Sequence, residues 1–166
     1  MLRVRIRIGT GEIVDSFNGY GFVYLDSDKR VGPGQKEFES TQYPEEEGEH
    51  INPKTVDAPF DYKVKFFVQA DSVDDANDKI ATFNALLHST PTASGQKEYY
   101  QVTLFNDYKR QKIVGYPHEI EEASEFWRDP KNQLTDVIVI EWTIRVNKPS
   151  LCEWSTPFSD DIPASE

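Results

Sequence analysis

The stretch "FDYKVKFFVQADSVDDANDKIATFNALL", residues 60 to 87, decides how the rest of the chain is read. At its start Phe60, Tyr62, Val64, Phe66 and Val68 fall on one side, with Lys63 and Lys65 on the other. A period of two is that of a strand with one buried face, so residues 60–69 read as a central strand. From Asp71 the period changes. Val73, Ala76, Ile80, Phe83 and Leu87 recur three or four residues apart, the apolar stripe of an amphipathic helix over 72–88. Ser72 or Asp71 suits its N-cap, and the early carboxylates of Asp74, Asp75 and Asp78 complement the positive end of the helix dipole. "STPTASGQ" then stops it. A helix with a single stripe has to bury that stripe on something, and the flanking strands offer a sheet or a barrel mouth.

Outward from this pair the chain reads as strands. Residues 2–8 set Leu2, Val4, Ile6 and Ile8 against Arg3, Arg5 and Arg7, a strand whose outer face is wholly basic. "GYGFVYLD" (19–26) and "QKEFESTQY" (35–43) follow, joined by a Gly/Pro-marked connection. "PEEEGEHINPKTVDAP" (44–59) has three prolines and an acidic run without periodicity, so a long loop is expected, and loops of that length in compact domains are usually functional. Downstream, 97–106 and 108–118 form a hairpin across the turn-prone Asn106-Asp107 pair. Residues 119–134 are ambiguous: a helix would align Ile120, Ala123 and Trp127, whereas Pro130 and Asn132 favour a loop or irregular edge. "DVIVIEWTIRV" (136–146) is a strong last strand, with Ile138, Ile140, Trp142, Ile144 and Val146 on one face. The division is therefore one β-rich domain over 1–149, followed by an acidic tail at 150–166 expected to be flexible or docked on a partner. The fold class is mainly β (α+β): an antiparallel β-sandwich or split barrel with one flanking α-helix.

Composition narrows the function classes. A 166-residue chain with 37% hydrophobic and 13% aromatic residues can build a core rich in aromatics. Its net charge of −11 argues against a tight grip on nucleic acid, which needs clustered Lys and Arg. No apolar run approaches the ~18 residues of a membrane span, and the N-terminus lacks a signal-peptide core, so no membrane partner and a cytoplasmic location in the producing cell are expected. A single cysteine, Cys152, excludes an intramolecular disulfide and a cysteine-clustered zinc site.

No chemistry-bearing motif stands out. His50, His88 and His118 share no metal-ligand spacing, and "HEIEE" (118–122) lacks the second histidine of H-E-x-x-H. "DSDKRVG" (26–32) opens like a calcium loop, but Arg30 stands where a third oxygen ligand belongs. "GTGEIVDSFNGYG" is not G-x-G-x-x-G and reads as turn glycines. Glu45, Glu46, Glu47 and Glu49 read as a solvated loop, and no carboxylate pair is singled out for acid–base work. No catalytic residue, cofactor or metal is assigned, and the chain reads as a non-enzyme. The Arg3, Arg5 and Arg7 row has two readings: pairing across strands with acids such as Glu37 and Glu39, or a basic strip meeting an acidic neighbouring subunit. Candidate assembly contacts are Arg3, Arg5, Arg7, Glu45, Glu46, Glu47 and His50.

The order of elements carries the functional expectation. "FDYKVKFFVQADSVDDANDKIATFNALL", then "YYQVTLFNDYKRQKIVGYP", then "VIVIEWTIRV" resembles phage tail-tube and distal-tail (baseplate hub) proteins over roughly residues 15–147. That resemblance implies a sandwich or split barrel with one helix at its flank. It also implies subunits joined through sheet edges and loops into a homo-oligomeric ring, commonly six-fold, in contact with other tail proteins, with DNA as passing cargo only and the virion tail as destination. An acidic lumen would repel phosphates and let DNA slide. The resemblance carries no catalytic residues. Distal-tail proteins often continue into a second, carbohydrate-binding-like domain, and this chain has a short acidic tail after the last strand. The alternative is a non-catalytic β-sandwich ligand- or carbohydrate-binding domain using Tyr99, Tyr100, Tyr116, Trp127 and Trp154.

Overall fold

The alternating segment forms β6 (Phe60–Gln69), buried at every second residue from Phe60 to Val68. The computed structural model describes residues 3–128 and 136–154. Its other strands are β1 (Val4–Ile8), β2 (Ile13–Asp15), β3 (Phe22–Ser27), β7 (Val102–Asn106), β8 (Gln111–Arg128), β9 (Asp136–Val146) and β10 (Glu153–Trp154), with a small separate pair, β4 (Ser40–Thr41) and β5 (His50–Ile51). All described pairings are antiparallel, in the order β2-β1-β7-β8-β9-β6-β3, with β10 added to β8.

One strand makes this a two-layered fold. The start of β8 pairs with β7 through Gly115, and from Tyr116 onward β8 pairs with β9. One strand thus belongs to two layers, β2-β1-β7-β8 and β8-β9-β6-β3, as in a split barrel. At the crossing a Cβ on Gly115 would lie 2.4 Å from the Arg145 carbonyl oxygen. The register also shifts between Pro117 and Glu119 and again before Phe126, and such bulges bend a strand.

The core lies between the layers. Tyr62, Val64, Phe66 and Val68 sit opposite Ile144, Trp142, Ile140 and Ile138 on adjacent strands, and Ile6, Leu104 and Ile113 face them from the other layer as part of the same cluster. Helix α2 (Val73–Leu86) closes one end. Ser72 caps it by accepting from the Asp75 N–H. The Phe83 ring meets Tyr20, Phe22 and Trp142 edge-on at 4.8, 5.0 and 5.2 Å, an arrangement worth ~0.5–1.5 kcal/mol per pair beyond burial. Of the stripe, Ala76, Phe83 and Leu87 are buried and Ile80 half-buried, while Val73 at the first turn stays exposed. The carbonyl of Leu87 accepts from the Tyr100 N–H at 2.9 Å, tying the helix end to the approach to β7.

A buried polar chain holds the opposite end. The Tyr62 hydroxyl donates to Gln111 Oε1 (3.1 Å), and Gln111 Nε2 donates to the Arg30 carbonyl (2.7 Å). Asn106 Nδ2 donates to Ser27 Oγ (3.2 Å), and Lys109 Nζ reaches the Ser27 and Asp28 carbonyls at 2.8 and 3.0 Å. Burial pushes the Tyr62 phenol up to about 12, opposed by hydrogen bonding to Ser27 and Asn106. The hydroxyl therefore remains a neutral donor at physiological pH.

Four expectations change. A second, short helix α1 (Ser16–Tyr20) occupies the start of the expected 19–26 strand, because Asp15 caps it and Gly21 ends it at φ +75°. The 35–43 strand shrinks to β4, and β5 falls inside the expected 44–59 loop, so this region is a ribbon. Residues 119–128 continue β8; the side chains of Ala123 and Trp127 lie outside the described part. The expected tail start at 150 moves, since a 3-10 turn (Pro149–Leu151) and β10 dock on β8. Trp154 packs on Phe60 at 5.9 Å, and Cys152 Sγ accepts from the Val114 N–H at 3.4 Å. Burial pushes the Cys152 thiol pKa up, which favours an inert thiol. Residues 155–166 of the expected tail lie outside the described residues.

Gly115→Ala is expected to cost about 1–3 kcal/mol through overpacking at the crossing, read as a lowered urea midpoint. Gly32→Ala, with nothing within 4 Å of the new Cβ, is the control, expected within about 0.5 kcal/mol of the parent. Equal midpoints for the two variants would remove Gly115 as the constraint at the crossing.

Candidate functional site

Two surfaces contain the expected contact residues. The first is the outer face of the β2-β1-β7-β8 layer. Register places Asp15, Arg5, Phe105, Lys112 and Glu153 in one row across five strands. The Arg5 guanidinium and the Lys112 ammonium lie 6.0 and 5.8 Å from the Phe105 ring centre, within cation–π range. Arg5 also bonds Asp107 at 3.1 Å.

The expectation of an open basic face is corrected here. Arg5 is 4% exposed and Phe105 1%, and Arg3 and Arg7 are half-buried. The alternation was read correctly, but both faces of β1 are covered. The expected cross-strand partners Glu37 and Glu39 are not beside this row. They sit near β4, and Asp107 in the β7–β8 turn takes Arg5 instead. The turn reaches β1 because the Asp107 N–H donates to the Arg3 carbonyl (3.1 Å).

The second surface is an arm, residues 34–58. Its base is held by Ala58 N–H to Gly34 O (2.8 Å) and Lys36 N–H to Val56 O (2.9 Å). Below this base, Arg30 lies over the Phe60 ring, 4.2 Å from its centre. Residues 34–57 are exposed almost without interruption. Ser40 pairs with Ile51 and Thr41 with His50, and alternation along the strands then puts Phe38 and Ile51 on one face and Glu39 and His50 on the other. Phe38 and Ile51 are 38% and 50% exposed. At the tip His50 Nε2 contacts the Glu46 carboxylate, and the Tyr43 ring meets the His50 ring edge-on at 5.3 Å. Glu45 and Glu47 flank this pair in solvent. The structure thus brings Glu46 and His50 together and keeps Arg5 in the body of the fold.

Other candidates resolve into local structure. In the 26–32 segment, Asp26 Oδ1 accepts from the Ser27 N–H and Asp28 Oδ1 from the Arg30 N–H. Among the described residues no three His, Cys, Asp or Glu side chains gather as a metal site, and no described helix is long and apolar enough to cross a membrane. A cleft of about 740 Å³ lies between α1 and α2, lined by residues that include Phe17, Asp78 and Lys79. A shallower groove of about 510 Å³ runs past Ile8, Val14, Leu86 and Tyr100. Of the aromatics named as ligand contacts, Tyr100 lines this groove, whereas Trp154 is spent on Phe60.

No protein-family model and no curated protein matches the chain. Among solved structures, the fold is similar to the crystal structure of SPP1 Dit, described as a paradigm of the hub adsorption apparatus in Gram-positive-infecting phages. The TM-score is 0.51 at 13% identity, over 85% of this chain and 49% of that one. The chain therefore spans about half the length of the solved structure it matches.

Because Arg5 acts within the fold, Arg5→Ala leaves Asp107 buried without that guanidinium. It is expected to lower folding stability by about 3–5 kcal/mol, measured by urea unfolding of dilute monomer. An unchanged midpoint would mean that the side chain is solvated after all.

Proposed function

We propose that this chain is a non-enzymatic structural component of a phage or prophage tail, of the tail-tube or distal-tail hub type, that works as a subunit of a ring. The observation that carries this reading is the shared fold with SPP1 Dit over most of the chain, joined to an arm that leaves the body as an exposed ribbon. An isolated two-stranded ribbon is marginal in water. An arm with Phe38 and Ile51 on one face gains most when that face meets another subunit. Heterologous contacts of this kind close into rings when the rotation permits.

In this reading the arm, with Glu45, Glu46, Glu47 and His50 at its tip, supplies contacts to a neighbouring copy or to another tail protein. Arg3 and Arg7 contribute from the first layer, while Arg5 holds that layer's shape. The net charge of −11 suits a wall along which DNA passes without adhering.

The test removes the arm without touching the body. Residues 37–55 are deleted and Lys36 is joined to Val56 through an Asn-Gly turn, across a pair already bonded at 2.9 Å. The expected variant keeps its circular dichroism and melting temperature but scatters light as a monomer of its own shortened mass, below the 19.1 kDa of the full chain, where the parent forms a larger, defined species. Assembly of the shortened chain to the parental mass would contradict the assignment of contacts to the arm.

A further inference from the structure

We propose that the groove between the β1–β2 turn and the end of α2 is the receiving site for the arm of a second copy of this chain, with Phe38 and Ile51 seated in it. The inference rests on the subunit reading above and names the surface that the arm meets. The groove is open and mostly apolar. Leu86 and Tyr100 are 48% and 41% exposed, Ile8, Val14 and Tyr20 are half-buried beside them, and Glu12 is the one charged residue of its lining. Its walls are fixed by the backbone: the Gly9 N–H donates to the Gln101 carbonyl (2.8 Å), the Gly11 N–H to the Ile8 carbonyl (3.1 Å) and the Tyr100 N–H to the Leu87 carbonyl (2.9 Å). A preformed groove spares a partner the cost of ordering it.

The arm has the matching face. The Asn52 N–H donates to the Glu39 carbonyl (2.8 Å), which extends the ribbon pairing and holds Phe38 and Ile51 as diagonal neighbours, roughly 7–8 Å apart. The groove holds about 510 Å³; a cavity of ~150 Å³ accepts a benzene ring, so both side chains fit. Charge selects where they go. Residues 37–53 contain six glutamates and no Lys or Arg, so two arms repel one another and a symmetric arm-to-arm contact is disfavoured. The same glutamates disfavour the larger cleft between α1 and α2, where Asp71 and Asp78 line the wall and Lys79 is already held by Asp75 and the Gln69 carbonyl. Size agrees as well. Residues 34–57, exposed almost without interruption, fall within the roughly 20–30 residues that one side of a stable interface supplies. Arm and groove are different surfaces of one chain, so each copy gives its arm and receives another, the heterologous contact from which rings are built.

Cross-linking between separate full-length chains tests this. Ile51→Cys and Leu86→Cys chains are mixed and treated with a bismaleimide, Cys152 being shielded by burial. Leu25→Cys, at an exposed position of β3 outside the groove, is the comparison. Linked pairs are expected to form ~10-fold faster or more with Leu86→Cys, because a seated arm holds its thiol at high local concentration. Leu86→Glu is expected to raise the concentration for half-assembly ~10-fold or more at an unchanged melting temperature, since the parent side chain already meets water. Equal linking rates, in a parent that light scattering shows to be larger than a monomer, would overturn the groove and leave the subunit reading standing. So would a link formed within single Ile51→Cys/Leu86→Cys chains diluted in excess parent, since the occupant would then be the chain's own arm. A parent that stays monomeric at every concentration would overturn both.

Discussion

Everything in this structure turns on one close approach, where the backbone of β8 passes β9 at Gly115 with no room for a Cβ beside the Arg145 carbonyl. Because β8 makes this crossing, its first residues continue the β7 layer and its remainder continues the β9 layer. The inner rows of the two layers then face each other, and the aromatic group around Phe83 and Trp142 is enclosed by α2 at one end. A sheet that did not bend there would leave Tyr62, Trp142 and Ile6 on an open surface.

The opposite end is closed by hydrogen bonds instead of by a helix. Tyr62, Gln111 and the Arg30 carbonyl form a buried chain, and Lys109 and Asn106 tie the β7–β8 turn to the end of β3. Buried polar groups of this kind are costly unless fully bonded, so this end is specified closely. The arm departs from it: Arg30 is fixed by its carbonyl and by the Phe60 ring, and the ribbon begins a few residues later. A rigid root under an exposed ribbon suits an element that reaches a neighbour without loosening the fold that carries it.

Much of this was legible in the residues. β6 and β9 match the strands expected at 60–69 and 136–146, and α2 with its Ser72 cap falls within 72–88, because each has strong periodicity and clear punctuation. Strand β8 was not legible beyond residue 118. Its continuation is rich in glutamate and lacks alternation, and its pairing comes from β9 alongside it. The arginine row misled for a related reason. Alternation reports two faces, not which of them is covered; the adjacent Leu104 and Phe105 on the paired strand, both buried, were the available sign that both were. Helix α1 left a local trace in Asp15 and Gly21, its cap and its left-handed stop. The Glu46–His50 contact lies four residues apart across the arm's tip and depends on a turn that sequence periodicity does not report.

The fold gives the ring reading its physical basis: a closed core that leaves surface residues free for contacts, a ribbon projecting from a fixed root, and a strongly acidic chain. Negative-stain electron microscopy of the purified chain, over a range of concentrations, tests that reading most directly. The account predicts closed annuli with rotational symmetry and a central channel. Fields of single domain-sized particles at every concentration, without annuli, would contradict it.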